Sequence, residues 1–404
     1  MSLQIRRNPN SDTVCLTMSK ETPIGDGGTT NKEASLLSAG VLELAAKQIG
    51  ATPTDLITTK LAGDASSRSY FRLRTGSSTC DSPGIIVALY PEAFDETESA
   101  SSRLERMEAA DPNVRLTFAN DPCAHIEVTS LFLAAGVPVP GILSSSGGDR
   151  VLLMEDAGDL NLQDWLEGKS RQDRAAIYRE AIDFIIRIQE ATGLAMRAGS
   201  ISSRLAFDEA KLKWELDFFF TNFVGKYLGY EPAPSFAQEI DAEFTRLSRE
   251  LASAPRVLVH RDYHARNLMP GRRMFVIDHQ DARMGPATYD LASLLFDPYA
   301  RLDAGLIDEL TGYFVEARLK SSLPTMNASE LRHETTLVAL QRMLKAVGTY
   351  AYQVEVKRNQ VYAPYIQPAL ESAIGCIRSL GRFEHLRALL SHESATKPLR
   401  VLEA

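Results

Sequence analysis

The chain has 404 residues, 44% of them apolar and 24% charged, and a formal net charge of −8. This length predicts two packed lobes or domains rather than one ordinary core. The acidic balance argues against a dedicated nucleic-acid-binding protein, which usually carries a basic face. No apolar run approaches the ~20 residues of a membrane-spanning helix.

Cysteine usage and the N-terminal sequence both favour the cytoplasm. The four cysteines are dispersed and form no C-x-x-C pattern, which is typical of reduced thiols. The N-terminus has no apolar stretch of the kind found in signal peptides. We therefore expect a cytoplasmic monomer without nucleic-acid or membrane partners.

The first part of the chain predicts a flexible tail followed by a small β-rich lobe. Residues 1–32 are rich in Ser, Thr, Asn and Gly and show little apolar periodicity, which predicts the tail. A helix should begin near residues 31–33 and end before Gly50. One further helix is expected at residues 121–135. Short β-favouring runs occupy residues 56–61, 70–73, 85–90 and 151–154. Residues 33–155 are thus expected to form the N-lobe.

The remainder, residues 156–404, is expected to form a mostly helical C-lobe. Apolar residues recur there at helical spacing within residues 162–166, 175–191, 212–227, 240–251, 291–295, 306–319 and 331–352. Two short apolar runs at 257–259 and 274–277 interrupt this pattern and predict strands. The expected fold class is α/β (α+β) with two lobes.

The two predicted strands of the C-lobe flank a stretch that indicates phosphoryl transfer. This reaction needs a carboxylate that orients the acceptor hydroxyl, oxygen ligands for Mg²⁺ and a rigid scaffold. Asp262 and Asn267 have the H-R-D-x-x-x-x-N spacing of a kinase catalytic loop, and Asp278 ends the next apolar strand. The sequence therefore predicts Asp262, Asn267 and Asp278 as catalytic residues. Asn267 and Asp278 are the expected metal ligands, because Mg²⁺ prefers oxygen donors.

With these motifs the sequence resembles the aminoglycoside phosphotransferase and choline kinase branch of the protein-kinase-like superfamily, over roughly residues 55–350. The resemblance implies a two-lobe protein-kinase-like fold that uses ATP and Mg²⁺. It implies that Asp262 is the catalytic Asp and that Asn267 and Asp278 bind the metal. It also implies that Asp290, in Tyr289-Asp-Leu-Ala292, supports the catalytic loop.

The resemblance further implies a nucleotide site between the lobes. Residues 151–156 look like the hinge whose backbone would bind adenine, and Glu127 occupies the position of the lobe-bridging Glu. The residues implied for nucleotide binding by the glycine-containing loop and the hinge are Gly63, Asp64, Ala65, Ser66, Met154 and Glu155.

Three longer stretches resemble one subgroup, the bacterial anomeric kinases of N-acetylmuramate and N-acetylglucosamine in cell-wall recycling. They are Gly63-Asp-Ala-Ser66 with Tyr70-Phe-Arg72, His260-Arg-Asp-Tyr-His-Ala-Arg-Asn-Leu-Met269, and Asp278-x-Gln-Asp-Ala-Arg-x-Gly-Pro-x-x-Tyr-Asp-Leu291. The resemblance implies a small-molecule sugar substrate phosphorylated at its C1 hydroxyl. The alternatives are an aminoglycoside, choline or other amino-alcohol kinase, or a non-catalytic pseudokinase binding module.

The sequence departs from the superfamily pattern at the third strand, which lacks the usual phosphate-binding Lys. We expect Arg68 or Arg72 to supply the missing cation, the alternative being that they are solvated strand charges. Glu127 would then pair with an Arg or lie on a helix surface.

Several polar side chains near the catalytic stretch are candidates for acceptor binding. They are His264, Arg266, Gln280 and Asp281, with ordinary loop hydrogen bonds, salt bridges or turn capping as alternatives. Asp281 is also a candidate second metal ligand. Lys345 is expected to be a solvated helix lysine, the alternative being that it faces the same cleft. Trp214 with residues 218–220 is expected to pack in the core, the alternative being that these aromatic residues stack on a sugar ring. Zinc at His260 and His264 is disfavoured, because zinc needs three or four ligands.

Overall fold

The structure is a computed structural model that describes residues 36–61, 68–76 and 84–391. The predicted tail at residues 1–32 and the loop residues Gly63, Asp64, Ala65 and Ser66 lie outside the described residues. An antiparallel sheet forms the first part of what is described, and helices form most of the rest. None of the described helices is both long and apolar enough to cross a membrane.

The N-terminal part is built on a five-stranded antiparallel sheet with strand order β1-β2-β3-β5-β4. Its elements in chain order are α1 (Ala39–Ile49), β1 (Leu56–Lys60), β2 (Ser69–Thr75), β3 (Ile85–Leu89), α2 (Ala100–Ala110), α3 (Val114–Thr117), α4 (Pro122–Ala134), β4 (Ile142–Ser146) and β5 (Val151–Glu155). Three helices therefore lie between β3 and β4, where one was expected. The sequence pattern did not reveal α2, because most of its residues are polar and only Ala100, Ser101 and Leu104 are buried.

The two faces of this sheet pack against different partners. Side chains alternate between the faces of a strand, so Phe71 and Val87 are buried with the helix α1. Ile86, Ala88 and Met154 point the other way and join the core of the helical part. The sheet is thereby anchored on both sides, and its inner face forms one wall of the interlobe cleft.

The part after the hinge is mostly helical. Its elements are α5 (Leu162–Trp165), α6 (Arg171–Glu190), α7 (Thr192–Ala198), α8 (Ile201–Arg204), α9 (Glu209–Phe219), a π-helix (Phe220–Tyr227), α10 (Pro234–Ser253), β6 (Arg256–Val259), β7 (Leu268–Met269), β8 (Phe275–Val276), β9 (Arg283–Pro286), α11 (Tyr289–Leu295), α12 (Ala304–Leu319), α13 (Ala328–Glu355), α14 (Ala363–Leu380) and α15 (Glu384–Leu390). The strand β6 pairs with β9 and β7 pairs with β8, so two short hairpin-like ladders frame the catalytic stretch.

The long helix α13 lies at the centre of the second hydrophobic core. Leu340 and Leu344 of α13 are fully buried there together with Phe219 and Phe244. At Gly348 the helix approaches the end of α9 so closely that an added Cβ would lie 2.6 Å from the Phe219 Cα. This packing places one polar edge of α13 against the catalytic stretch.

Candidate active site

A cleft of about 520 Å³ lies between the sheet and the helical part. The structure brings Asp262, Asn267 and Asp278 together in its lining, as the sequence spacing predicted. The hinge residues Met154 and Glu155 line the same cleft. Other predicted residues that reach it are Arg68, Arg72, His264, Arg266 and Asp281.

The backbone of the catalytic loop is fixed by Asp290 at the start of α11. Its carboxylate accepts hydrogen bonds from the backbone N–H groups of His260 at 2.7 Å and Arg261 at 3.1 Å. Burial raises the pKa of Asp290 to about 7, and the two backbone hydrogen bonds act in the opposite direction. The His260 ring contacts the carbonyl oxygen of Ile277 at 3.0 Å, which links the loop to the strand that precedes Asp278.

Asn267 and Asp278 each present a side-chain oxygen of the kind that ligates metal ions to the cleft. The amide nitrogen of Asn267 donates to the Asp262 carbonyl at 2.8 Å, which leaves the side-chain oxygen available to a ligand. The backbone N–H of Ile277 donates to the Asn267 carbonyl at 2.9 Å, so the two segments are held side by side. Asp278 accepts from Gln280 at 3.0 Å and from Arg68 at 2.9 Å. Burial raises the pKa of Asp278, but Arg68, the hydrogen bond from Gln280 and the neighbouring His260 together lower it below its usual value.

These donors fit Mg²⁺, which takes few protein ligands and fills its shell with water and phosphate oxygens. Nowhere in the described part of the chain do three His, Cys, Asp or Glu side chains converge as a metal site. A metal in this cleft would therefore rest on one amide oxygen and one carboxylate, together with phosphate.

Asp262 is surrounded by three cationic side chains. Its carboxylate lies 3.0 Å from the Lys345 ammonium, 3.6 Å from Arg261 and 3.8 Å from Arg342. Burial would raise the pKa of Asp262, but Lys345, Arg261 and Arg342 together hold it well below its usual range. The carboxylate is therefore ionised and oriented.

Lys345 is the cleft residue that the sequence analysis placed incorrectly. It was expected to be solvated, but its side chain is only 17% exposed and faces Asp262 from α13. A signal was present in the sequence, since Arg342 and Lys345 are three residues apart and therefore share one face of the helix.

The two arginines proposed as the missing cation have different partners. Arg68 is 2% exposed, pairs with Asp278, and its Nε and Nη1 atoms have no hydrogen-bond partner among the described residues. Arg72 instead pairs with Asp156 at 2.8 Å and with Asp159, two carboxylates that follow the hinge. Arg68 thus faces Asp278, the carboxylate predicted to bind the metal, whereas Arg72 connects β2 to the hinge.

The helix α4 contributes His125 rather than Glu127 to the cleft lining. Glu127 accepts a hydrogen bond from the backbone N–H of Ile201 at 2.5 Å, and it makes no ion pair with an Arg within the described ranges. His125 contacts the Tyr90 hydroxyl at 2.8 Å at the end of β3. A neutral Tyr–His pair therefore joins the third strand to α4, where the resemblance implied a Lys–Glu pair.

Arg266 lies in an aromatic cluster at the acceptor side of the cleft. Its guanidinium is 3.9 Å from the ring centre of Tyr299 and 4.9 Å from that of Tyr365. It also donates to the side chain of Gln163 at 2.8 Å and to the Tyr365 hydroxyl at 2.9 Å. The His264 ring packs against Tyr299, and burial lowers the His264 pKa to about 4, which makes it neutral at pH 7.

Gln280 and Asp281 are held by neighbouring groups. Gln280 is buried and donates to Asp278 at 3.0 Å and to Asp281 at 3.3 Å. Asp281 pairs with Arg261 at 3.0 Å and accepts from the backbone N–H of Asn120. Both residues thus contact other side chains of the site, and of the two only Asp281 lines the cleft.

Comparison with known proteins identifies relatives and a common fold. The chain is 30% identical over 236 residues to the N-acetylmuramate/N-acetylglucosamine kinase of Pseudomonas putida, a match that covers 56% of this chain and 64% of the relative. The same figures for identity and coverage apply to the kinase of that name from Pseudomonas aeruginosa. The aligned region thus spans less than two thirds of these relatives.

A solved structure shows the same architecture. The choline kinase of Cryptosporidium parvum superposes with a TM-score of 0.54 at 12% identity, covering 87% of this chain and 99% of that one. This likeness confirms the protein-kinase-like fold with its β-rich first part and helical second part. The model of the phosphotransferase enzyme family matches residues 58–321, and the chain belongs to that family.

Proposed function

We propose that this protein transfers the γ-phosphoryl group of ATP to a sugar hydroxyl, the acceptor being the C1 hydroxyl of N-acetylmuramate or N-acetylglucosamine. The observation that carries the proposal is the convergence of Asp262, Asn267 and Asp278 on one interlobe cleft. The names of the relatives at 30% identity support the choice of acceptor.

In this mechanism the carboxylate of Asp262 orients the acceptor hydroxyl and takes its proton late in the transfer. A loose transition state needs little basicity, so an ionised carboxylate of low pKa is sufficient. Asn267 and Asp278 would hold Mg²⁺, which neutralises charge on the phosphates. Arg68 supplies a buried guanidinium for the phosphates in place of the usual Lys, since a guanidinium binds phosphate well. The hinge backbone at Met154 and Glu155 would bind adenine.

The acceptor end of the cleft favours a sugar over a quaternary ammonium or polyamine. Such cations bind to open aromatic faces. Here the Arg266 guanidinium lies 3.9 Å from the ring centre of Tyr299, and Lys345 lines the same cleft as a second cation. Choline and aminoglycosides would therefore meet like charge. Nothing in the geometry favours the non-catalytic alternative, since all three predicted catalytic side chains line the cleft.

The proposal is tested by incubating the protein with ATP, Mg²⁺ and a panel of acceptors while ADP release is measured. We expect turnover with N-acetylmuramate or N-acetylglucosamine and a phosphorus NMR signal coupled to the anomeric proton of the product. Turnover driven by choline or an aminoglycoside alone would refute the assignment of the acceptor.

The substitution Asp262→Asn tests the role of the central carboxylate. We expect kcat to fall by about 10²–10⁴-fold, because the general base is lost, whereas nucleotide affinity measured by calorimetry stays close to that of the unmodified protein. Asp308→Asn, at an exposed position of α12, is the matched control and should be fully active. Loss of nucleotide binding in a folded Asp262→Asn protein would contradict this role.

A further inference from the structure

We infer that Lys345 is a second catalytic residue of the transfer, an inference that rests on the proposed kinase activity. Its ammonium group bridges the Asp262 carboxylate and, once the nucleotide is bound, the oxygens of the phosphoryl group being transferred. The sequence motifs of the catalytic stretch do not include this residue, because it comes from α13.

The first observation is the position of the Lys345 ammonium. Nζ lies 3.0 Å from Asp262 Oδ1, and the side chain lines the same cleft as Asn267 and Asp278. An ammonium has three donors, and among the described residues Asp262 is the one side chain to which Lys345 donates. Further donors are therefore available to a phosphate that approaches Asp262.

The second observation is that the neighbouring cations are committed to the protein framework. Arg342 donates to the backbone carbonyl of Arg261 and packs over the ring of Tyr289 at 4.8 Å. Arg261 pairs with Asp281 at 3.0 Å. Of the three cations around Asp262, Lys345 is the nearest to the reacting carboxylate, at 3.0 Å against 3.6 Å for Arg261 and 3.8 Å for Arg342.

The third observation is that the protein fixes the helix and places two carboxylates around Lys345. The close contact of Gly348 with Phe219 fixes α13 one helical turn after Lys345. Glu215 is buried on α9 and accepts from Gln341 at 2.8 Å. Burial, together with the nearby Arg261 and Arg342, lowers the pKa of Lys345 below its usual value, although the negative charges of Asp262 and Glu215 raise it. A framework of this kind holds a cation where charge develops during the reaction.

The proposed transfer breaks one bond to the γ-phosphorus and forms another. The bond between the γ-phosphorus and the β–γ bridging oxygen breaks, and its electron pair leaves with ADP. The acceptor oxygen forms the new bond to phosphorus, and its proton passes to Asp262. Lys345 keeps its own proton throughout and donates to oxygens of the moving phosphoryl group, as expected for preorganised electrostatic stabilisation.

The test compares Lys345→Ala, Lys345→Met and Lys345→Arg with the unmodified protein, using Lys357→Ala as a control. Lys357 is an exposed lysine just after the same helix. We expect kcat to fall about 100-fold or more in the Ala and Met variants, with unchanged affinity for ADP. Affinity for ADP with aluminium fluoride, which mimics the transferred group, should fall in both. The Lys345→Arg variant should retain part of kcat, and added ethylammonium should restore part of the activity of Lys345→Ala.

The outcomes separate this inference from the proposed function. If the unmodified protein phosphorylates no sugar, the proposed function fails and with it the premise. If the unmodified protein is active and both Lys345→Ala and Lys345→Met keep its kcat and its affinity for ADP with aluminium fluoride, the inference is overturned. Circular dichroism of each variant checks folding, and Lys345→Met retains the apolar stem that Lys345→Ala removes.

Discussion

Two residues of the catalytic stretch, Arg261 and Asp278, have φ angles of 88° and 61°, in a region that side chains other than glycine seldom adopt. Such conformations persist where the surroundings enforce them. Asp290 binds the Arg261 N–H, and the Asn267 carbonyl binds the N–H of Ile277 just before Asp278. Backbone hydrogen bonds thus orient the two carboxylates that the proposed reaction uses.

Removing the Asp290 carboxylate should destabilise the protein and disorder the catalytic loop. Asp290→Ala leaves the buried N–H groups of His260 and Arg261 without acceptors, at a cost of about 1–3 kcal/mol each in the free energy of unfolding. Urea denaturation measures this loss. Asp290→Asn keeps one acceptor oxygen and should lose less, and equal stability of Asp290→Ala and the unmodified protein would contradict the role.

The surroundings of Asp262 also predict a pH dependence. Its pKa in the folded protein is held below the usual value, so the ionised form persists as the pH falls and is lost only in strong acid. We therefore expect kcat at saturating substrates to show no protonation of Asp262 between about pH 8 and pH 5. An acid limb near pH 6 that shifts in Asp262→Glu would show that the cations do not hold the carboxyl ionised.

At the scale of elements, the register of α13 depends on a glycine. An added Cβ at Gly348 would lie 2.6 Å from the Cα and 3.0 Å from the backbone nitrogen of Phe219. Gly348→Ala should therefore lower the free energy of unfolding by about 1–3 kcal/mol and reduce kcat, because α13 carries Lys345. Gly375→Ala in α14 is the matched control.

The Cβ at Gly375 would meet nothing within 4 Å. This control should be neutral, or more stable by up to about 1 kcal/mol through helix propensity. Urea denaturation of both variants, followed by activity assays, checks the prediction. Equal stability of the two variants would show that α13 can shift away from Phe219 without cost.

Apolar spacing predicted most of the strands and helices, but one long helix with regular apolar spacing was missed. The strands β2 and β3 and the helix α13 match their apolar spacing within a few residues. The helix α14 was missed, although it buries Ile366 and Leu370 in the second core. The apolar spacing of a helix does not show which other helix packs against it.

The same limit applies to the site. Spacing along one segment was enough to select Asp262, Asn267 and Asp278 as candidates, and all three line one cleft. The contact between Lys345 and Asp262 joins residues that are 83 positions apart, so only tertiary packing reveals it. Arg68 lies just before β2 and Arg72 within it, and their different partners become visible only in the folded structure.

At the scale of the whole molecule, Arg72 connects β2 of the sheet to the segment that follows β5. Asp156 is 3% exposed and pairs with Arg72, so Arg72→Ala would leave a buried carboxylate with a weaker partner. We expect a loss of about 3 kcal/mol in the free energy of unfolding and a higher KM for the nucleotide. Thermal unfolding and ATP titrations measure both.

Arg74 provides the control for this prediction. Its side chain is 36% exposed and lies 3.3 Å from the same Asp156, so Arg74→Ala should change stability by less than about 1 kcal/mol. An equal loss in both variants would show that the hinge does not depend on Arg72 in particular.

The pairing of Arg68 with Asp278 has a consequence for the order of ligand entry. One oxygen of the carboxylate proposed to ligate Mg²⁺ already neighbours a guanidinium at 2.9 Å. A divalent ion arriving alone at this carboxylate would meet the positive charge of that guanidinium and weaken its pairing with Asp278. A nucleotide that arrives with its ion bound offers Arg68 a second anion in the same event. If the proposed metal site is correct, we therefore expect the complex of nucleotide and metal to enter the cleft more readily than the free ion.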